Sequence, residues 1–240
     1  MRKSVGEYSV SAARTHPLVR KVRRRLREQA DPDRAAPMQA YMKSAMPYYG
    51  LAAPELRALL RPHLRSFAPG DRAEWERVVR TCWDDATHRE EWYAAIALAR
   101  HRSAHAWQDA GTLDLYRHLV VTGAWWDVVD EIAQHLVGAC LLADRDQVTD
   151  AMRAWAVEDD LWLRRTSVIC QISHGADVDR DLLTFAIESN LDDTSFWLRK
   201  AIGWALRQHA RVDPDWVRAY VDSLGDRLSG LSRREATKHL

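Results

Sequence analysis

Two stretches of this chain place an aromatic ring beside a charged side chain at helical spacing. In the first, Trp126 and Asp130 are four residues apart, so in a helix both lie on the same side. An unpaired carboxylate beside an apolar stripe is costly, which makes Asp130 a candidate for a chemical role. A tryptophan next to a core is more often part of that core, and this interpretation stays open for Trp126.

The second stretch is a cationic helix face built around Trp204. Lys200, Trp204, Arg207 and Arg211 share one side of a predicted helix, opposite Ile202 and Leu206. Such a face is typical of nucleic-acid binding, because the cations hold phosphates while the ring packs on a sugar or a base. A solvated charged face with an incidental tryptophan is the alternative.

Arg165 interrupts an otherwise apolar helix face. That face is formed by Leu161, Val168, Ile169 and Ile172. A guanidinium among apolar neighbours needs a partner, because breaking a buried ion pair costs about 3–5 kcal/mol. Two interpretations have equal weight. Arg165 either forms a structural bridge to a carboxylate, or lines a groove where it binds a carboxylate or phosphate through two N–H groups.

Other catalytic chemistries have little support in the sequence. His101 and His105 have the spacing of a metal pair, but no HExxH motif or carboxylate pattern accompanies them, so we expect no metal and no cofactor. Cys82, Cys140 and Cys170 are widely spaced in apolar helical contexts, which predicts buried free thiols. No Walker loop, GxGxxG or GxSxG motif is present.

Composition predicts a soluble globular protein. Hydrophobic residues make up 47% and charged residues 29%, while the 11 tryptophans exceed what a core of this size needs. The segment Met1–Glu7 lacks the apolar stretch of a signal peptide, and no run of 18 apolar residues occurs, so we expect a cytoplasmic, nucleoid-associated location and no membrane contact.

The net charge is only +1. A basic run over 20–27 is either a solvated helix face or a phosphate contact.

The elements that must position these residues are all predicted to be helices. Apolar residues recur at helical spacing, ten Gly and eight Pro leave few breaks, and no alternating strand occurs, so the fold class is all-α. The predicted helices are Glu55–Phe67, Asp71–Trp83, Glu90–Arg100, Thr112–Val121, Trp125–Val137, Asp146–Val157, Asp160–Ile172, Asp181–Ser189, Thr194–Ala210 and Asp213–Ser223.

The helices also repeat. Trp92, Trp126, Trp162 and Trp197 follow one another at intervals of 34, 36 and 35 residues, each near the start of a helix. This period is typical of stacked helical pairs of the HEAT, armadillo or TPR kind, whose stacks curve and offer a concave binding surface. No linker divides the chain, which predicts a single domain over residues 1–240.

Several segments together resemble the AlkD-type DNA glycosylases, a HEAT-like-repeat family of DNA alkylation repair enzymes. The stretch Trp125–Asp130 resembles the signature of that family, and the order and spacing of further segments agree with it. These are Tyr41–Lys43, Met46–Leu51, Leu161–Arg165, Lys200–Arg207, Leu231–Ala236 and Lys238–His239.

The resemblance implies a right-handed solenoid of HEAT-like antiparallel helix pairs with a concave DNA-binding face. It implies a monomeric glycosylase that removes N3- or N7-alkylated purines from double-stranded DNA without an enclosing pocket. The essential aspartate of the family falls on Asp130, its two sugar-flanking tryptophans on Trp126 and Trp204, and its concave-face arginine on Arg165. The DNA contacts expected with them are Tyr41, Lys43, Arg164, Lys200, Arg207 and Arg211.

Two other functions fit parts of the same pattern. A non-catalytic relative that binds DNA would keep the scaffold, yet Trp126, Asp130 and Arg165 are all present. A protein-interaction scaffold would explain the repeats but not the arginine within an apolar face. The near-neutral net charge departs from the commonly basic members of the family.

Overall fold

The computed structural model describes residues 16–240, and every regular element in that range is helical. The all-α prediction is therefore confirmed for this part of the chain. The segment Met1–Glu7, expected not to be a signal peptide, lies outside the described residues. The helices are α1 Pro17–Glu28, α2 Pro32–Met42, α3 Ala53–Arg65, α4 Arg72–Asp84, α5 Arg89–Ala99, α6 Leu113–Gly123, α7 Trp126–Ile132, α8 Gly138–Ala143, α9 Arg145–Ala156, α10 Leu161–Ile169, α11 Arg180–Glu188, α12 Phe196–His209, α13 Pro214–Leu224 and α14 Gly230–Ala236.

Side-chain caps fix where many of these helices begin. The Asp71 carboxylate accepts the amide of Glu74 at the start of α4, as its position before the apolar pattern predicts. Asp160 accepts two amides at the start of α10, and Ser195 and Asp213 cap α12 and α13 in the same way. Predicted and observed helices therefore agree apart from a few residues at their ends.

One predicted boundary is wrong. The helix expected to end at Val137 instead passes through a π-helical segment, Ala133–Val137, and continues as α8. Three further helices, α1, α2 and α14, were not predicted. Dense charge hides the apolar stripe of α1, α2 buries no residue, and α14 is only seven residues long.

The described residues fall into two compact units, divided between His105 and Ala106. In the N-terminal unit, α1 packs through a stripe of Val19, Val22 and Leu26. Within its basic run, Arg23 donates to the buried Glu91 carboxylate at 2.7 Å and to two backbone carbonyls of α4. Part of the basic run therefore has a structural function.

A buried carboxylate organises the loop before α3. Glu90 is fully buried and accepts the backbone amides of Tyr49, Gly50 and Leu51 at 2.9, 2.9 and 3.2 Å. Gly50 has a φ of +92°, and a Cβ there would lie 2.1 Å from the Asp31 carbonyl oxygen. The loop therefore requires both the glycine and the carboxylate.

In the C-terminal unit, Ala106–Leu240, the helices pack on near neighbours along the chain, and α10 also reaches back to α6 and α7. Helix α10 contacts α9 and α12, and α12 contacts α14. This succession is consistent with a helical solenoid. Its core is apolar and includes Val168, Ile202, Leu206, Val217 and Val221. The single-domain organisation stays a prediction.

The predictions about the cysteines and about membrane-spanning helices can be compared with the described residues. All three cysteines are free and buried, which confirms that prediction. Burial raises the pKa of the Cys82 and Cys170 thiols to about 12. Among residues 16–240, no helix combines the length and apolar character that a membrane crossing requires.

Candidate active site

Asp130 and Arg165 form a two-pronged ion pair between α7 and α10. The Arg165 Nε donates to Oδ1 of Asp130 at 2.8 Å, and Nη2 donates to Oδ2 at 2.9 Å. The Arg165 side chain is 4% exposed and that of Asp130 is 14% exposed. The arginine in the apolar face thus has the partner that its burial demands, and only the carboxylate reaches solvent.

Arg165 is fixed from a third direction by α12. Its Nη1 donates to the Trp197 backbone carbonyl at 2.6 Å, and the guanidinium carbon lies 6.0 Å from the centre of the Trp197 ring. Three contacts on two different helices leave the guanidinium little freedom to turn. Arg165 therefore orients the Asp130 carboxylate and ties α7, α10 and α12 together.

The electrostatics of Asp130 favour a carboxylate that takes up a proton easily. Burial raises the pKa of Asp130 above its ordinary value, and the nearby charges of Asp127 and Glu131 raise it further. The hydrogen bonds and charge of Arg165 oppose this change but do not cancel it. A carboxylate with a raised pKa is a better proton acceptor when ionised, which suits a general base.

Three tryptophans from successive repeats pack beside this ion pair. The ring centres of Trp125, Trp162 and Trp197 lie 5.4–6.2 Å apart. Phe196 adds an edge contact to Trp197 at 5.2 Å and is more than half exposed. The Nε1 of Trp125 is buried without a hydrogen-bond partner among the described residues. At the start of α7 it is therefore the capping residue Trp125, rather than Trp126, that packs against the repeated tryptophans of α10 and α12.

The two tryptophans predicted to flank a sugar are both half-buried. Trp126 is the first residue of α7 and lies one helical turn before Asp130. Trp204 packs against the C-terminal core from α12, two turns after Trp197. Each keeps part of its ring accessible, as a contact with substrate would require.

The π-helical segment fixes α7 relative to the end of α10. Gly138, which follows the segment, lies so close to the backbone at Cys170 that a Cβ on it would be 2.6 Å from the Cys170 carbonyl oxygen. The carbonyl of Gly138 is also hydrogen-bonded to Nε2 of His174 at 3.1 Å. Non-α backbone of this kind is frequent next to functional residues, and here it begins three residues after Asp130.

The cations predicted to contact DNA differ in their surroundings. Arg164 donates to Asn190 and Asp193, and Lys200 and Arg207 both bind the Glu235 carboxylate. Arg211 is exposed and makes one long hydrogen bond to Gln208, at 3.4 Å.

Two of the predicted DNA contacts lie in the N-terminal unit. Tyr41 is 80% exposed near the end of α2. Lys43 is exposed directly after that helix, with a left-handed φ of +50°. Both side chains are therefore accessible to a large partner.

Sequence reasoning missed three residues that the structure brings into or next to the site. Trp197 stood out only as a member of the repeat, and Trp125 only as the first residue of the stretch Trp125–Asp130 that resembles the family signature. Glu235 lies in α14, which was not predicted, although its position beside Arg233 and Arg234 in a charged tail was visible.

Comparison with known proteins agrees with this architecture. A family model described as DNA alkylation repair enzyme matches residues 22–240. A solved structure described as a predicted DNA alkylation repair enzyme from Enterococcus faecalis is similar, with 29% sequence identity and a TM-score of 0.79. The match covers 88% of this chain and 97% of that one. A search of curated proteins gave no match. With its helical fold and a family match over most of its length, the chain belongs to the DNA alkylation repair enzyme family.

Proposed function

We propose that this protein is a DNA glycosylase that hydrolyses the N-glycosidic bond of purines alkylated at N3 or N7, such as 3-methyladenine and 7-methylguanine. The observation that carries the proposal is the Asp130–Arg165 pair, in which a buried arginine presents a partly exposed carboxylate with a raised pKa. This carboxylate lies in a helical scaffold of a DNA alkylation repair family.

The proposed reaction needs no general acid. A purine alkylated at N3 or N7 is cationic, so it leaves as a neutral base with the electron pair of the glycosidic bond. Positive charge then develops on the deoxyribose, where the Asp130 carboxylate stabilises it. A water adds to the anomeric carbon and gives its proton to Asp130, which is the role of a general base.

The two half-buried tryptophans assist by contact with the sugar. We place the faces of Trp126 and Trp204 on the deoxyribose, where cation–π attraction contributes about 0.5–2 kcal/mol each as charge develops. Arg165 has its donors directed to Asp130 and Trp197, so its role here is to brace the carboxylate. Tyr41, Lys43, Arg164, Lys200, Arg207 and Arg211 are the proposed contacts with the DNA backbone.

The proposed substrate is double-stranded DNA with the damaged nucleotide held against the protein surface. Most glycosylases turn the base into an enclosed pocket, whereas Asp130 here meets solvent at the edge of α7. A surface site has room for adducts larger than a methyl group. We propose that the enzyme acts as a monomer on cytoplasmic, nucleoid-associated DNA without a cofactor.

The proposal is tested by replacing Asp130→Asn and measuring 7-methylguanine released from methylated duplex DNA by chromatography. Asparagine keeps the shape but removes the negative charge, so we expect the single-turnover rate to fall by at least about 100-fold. Binding of the duplex, measured by fluorescence anisotropy, should persist. Asp150→Asn, which neutralises an exposed carboxylate on α9, serves as the matched control and should retain full activity.

Undiminished base release by the Asp130→Asn variant would exclude the assigned role of this carboxylate. If the wild-type protein binds duplex DNA but releases no base from methylated DNA, it is a DNA-binding relative without glycosylase activity. Binding that does not weaken as salt rises would exclude phosphate contacts and favour a protein-interaction scaffold.

A further inference from the structure

One carboxylate, that of Glu235, forms ion pairs with two cations of α12, Lys200 and Arg207. Glu235 Oε1 lies 2.6 Å from Nζ of Lys200, and Oε2 accepts a hydrogen bond from Nη1 of Arg207. The hydrogen bond from Lys200 is the main reason that the pKa of Glu235 is lowered. Glu235 is therefore ionised at neutral pH and reduces the combined charge of this pair of cations from +2 to +1.

Glu235 is held in place by the tight contact between α12 and α14. A Cβ on Gly203 would lie 2.4 Å from Cβ of Glu235 and 2.7 Å from the Ser232 carbonyl oxygen. Ser232 also donates its hydroxyl to the Arg199 carbonyl at 2.8 Å. The backbone that carries Glu235 is thus fixed against the helix that carries the two cations.

The same two cations lie on either side of Trp204. Lys200 precedes it by four residues and Arg207 follows it by three, so all three side chains share one stripe of α12. Lys200 is 38% exposed and Arg207 is 20% exposed. Both cations are therefore accessible to an anion from solvent, which would compete with Glu235 for their N–H donors.

We propose that Glu235 is a specificity-determining residue, an internal counter-ion that a phosphodiester of the DNA must replace at Lys200 and Arg207. This proposal rests on the proposed function, because it assigns the stripe around Trp204 to duplex DNA. A carboxylate and a phosphodiester each carry one negative charge, so the exchange gains little. Undamaged DNA is held weakly as a result, and contacts made only by a damaged nucleotide decide where the protein stays.

The test compares the binding of an undamaged, fluorescein-labelled duplex by the wild-type protein and the Glu235→Gln variant across a range of potassium chloride concentrations. Freed cations should bind phosphate directly, so we expect about tenfold tighter binding by the variant at low salt, with the difference shrinking as salt screens the charges. The control is Glu158→Gln, which removes the same charge from an exposed pair with Arg117 and should change affinity by much less, because it leaves Lys200 and Arg207 paired with Glu235.

The same substitution in a second variant distinguishes an effect of Glu235 on its two cations from a general effect of added positive charge on DNA affinity. If Glu235 acts through the two cations, Glu235→Gln should have no effect on affinity in a protein that already carries Lys200→Ala and Arg207→Ala. Glu235→Asp keeps the charge but is too short to reach both cations, so it should give a smaller gain of the same sign. This variant also serves if Glu235→Gln fails to fold, which thermal unfolding would reveal.

Three results would overturn the inference: weaker binding by Glu235→Gln, a gain no larger than that of Glu158→Gln, or a gain that persists without the two cations. None of these measurements depends on base release. If the affinities change as expected while the wild-type protein releases no alkylated base, the glycosylase proposal fails and the role of Glu235 stands.

Discussion

The surroundings of Asp130 have opposite effects on its charge. Arg165 stabilises the ionised form, while burial and the acidic side chains of Asp127 and Glu131 favour the protonated form. The net effect is a pKa raised from its ordinary value of 3.8. Arg165 therefore both orients the carboxylate and limits the rise of its pKa, and the raised pKa and the fixed orientation each have a measurable consequence.

The first consequence concerns acid pH. Base release needs the ionised form of Asp130, so activity should be lost as pH falls through the raised pKa of this group. The midpoint of that loss should lie above 3.8, the ordinary value for aspartate. Single-turnover rates of 7-methylguanine release between pH 4 and pH 8 measure it. A rate that is constant down to pH 4 would contradict a catalytic carboxylate with a raised pKa.

The second consequence concerns the brace on Asp130. Arg165→Lys keeps the positive charge but loses the two parallel N–H donors and the bond to the Trp197 carbonyl. We expect the rate to fall by about tenfold or more, because small displacements of a catalytic group are costly. Arg180→Lys, in an exposed pair with Asp213, is the control and should leave the rate unchanged. Equal rates for both variants would show that the brace is dispensable.

The sequence indicated part of this arrangement at the level of single residues. Arg165 was anomalous because it interrupted an apolar helix face, and its need for a partner followed from the energetics of buried charge. The identity of the partner did not follow, since Asp130 is 35 residues earlier on another helix. Helical spacing relates residues on one helix, and only packing decides which helices face each other.

Among the elements, the contact between α12 and α14 depends on one glycine. Gly203 allows the two helices to approach so closely that any side chain there would overlap Glu235 and the backbone at Ser232. Backbone atoms cannot rotate away as a flexible side chain can. The short α14 is thus held on α12 by shape as well as by the ion pairs of Glu235.

Gly203→Ala should therefore lower the free energy of unfolding, although alanine is the better helix former. We expect a loss of about 1–3 kcal/mol from overpacking, measured by urea denaturation. Gly230→Ala, at the first position of α14, is the control. A Cβ there meets only the flexible end of Arg234 at 3.4 Å, so stability should change by less than about 0.5 kcal/mol. A Gly203→Ala variant as stable as wild type would show that α14 can shift freely.

Helix starts were easier to predict than helix continuations. Asp71, Asp160 and Asp213 marked beginnings because their side chains accept backbone amides, a local interaction visible in the sequence. The π-helical segment after α7 has no such signal, and the residue that follows it, Gly138, is in close contact with Cys170 and His174, which come after α10 and more than 30 residues along the chain. The short α14 likewise depends on its partner helix rather than on its own pattern.

At the scale of the whole molecule, the C-terminal unit keeps two histidines away from water. The rings of His174 and His209 are buried, and desolvation lowers the pKa of both. Neither nitrogen of His209 has a hydrogen-bond partner among residues 16–240. The folded protein therefore binds a proton at these positions less readily than the unfolded chain does.

Stability should accordingly fall as the solution is acidified. The unfolded chain takes up protons on both histidines near pH 6.5, whereas the folded protein takes them up only at lower pH. Above about pH 6.5 both histidines are neutral in the folded and unfolded states, so they do not lower the free energy of unfolding. As pH falls from there towards the pKa values of the folded state, protonation of the unfolded chain lowers the free energy of unfolding. Thermal unfolding at pH 7.5 and pH 5.5 tests this. His209→Phe should reduce the difference in Tm, while His105→Gln, at an exposed position, should not. An unchanged pH dependence in His209→Phe would contradict the assignment.

At the scale of the chain, the sequence predicted the fold class well because helical periodicity and the spacing of tryptophans extend over many residues. It could not show which cations are available. Arg23, Arg164, Lys200 and Arg207 all bind carboxylates within their own unit, and the pattern alone does not reveal such pairs. A net charge of +1 therefore says little about how strongly any single surface attracts DNA.

The π-helical segment at Ala133–Val137 has a consequence for how the gene can change. Such a segment has the geometry that a one-residue insertion leaves in an α-helix, since it accommodates one extra residue per turn. Loss of a single codon within it, for example that of Gln134, would restore regular α-helical hydrogen bonding while α7 and α8 keep roughly their present facing, so Asp130 would still face Arg165 and Gly138 would still face Cys170. The same deletion within the regular turns of α7 or α8 would instead rotate the helix beyond it by about 100°. The π-helical segment is thus a point of the chain at which a change in length can be absorbed without moving the site.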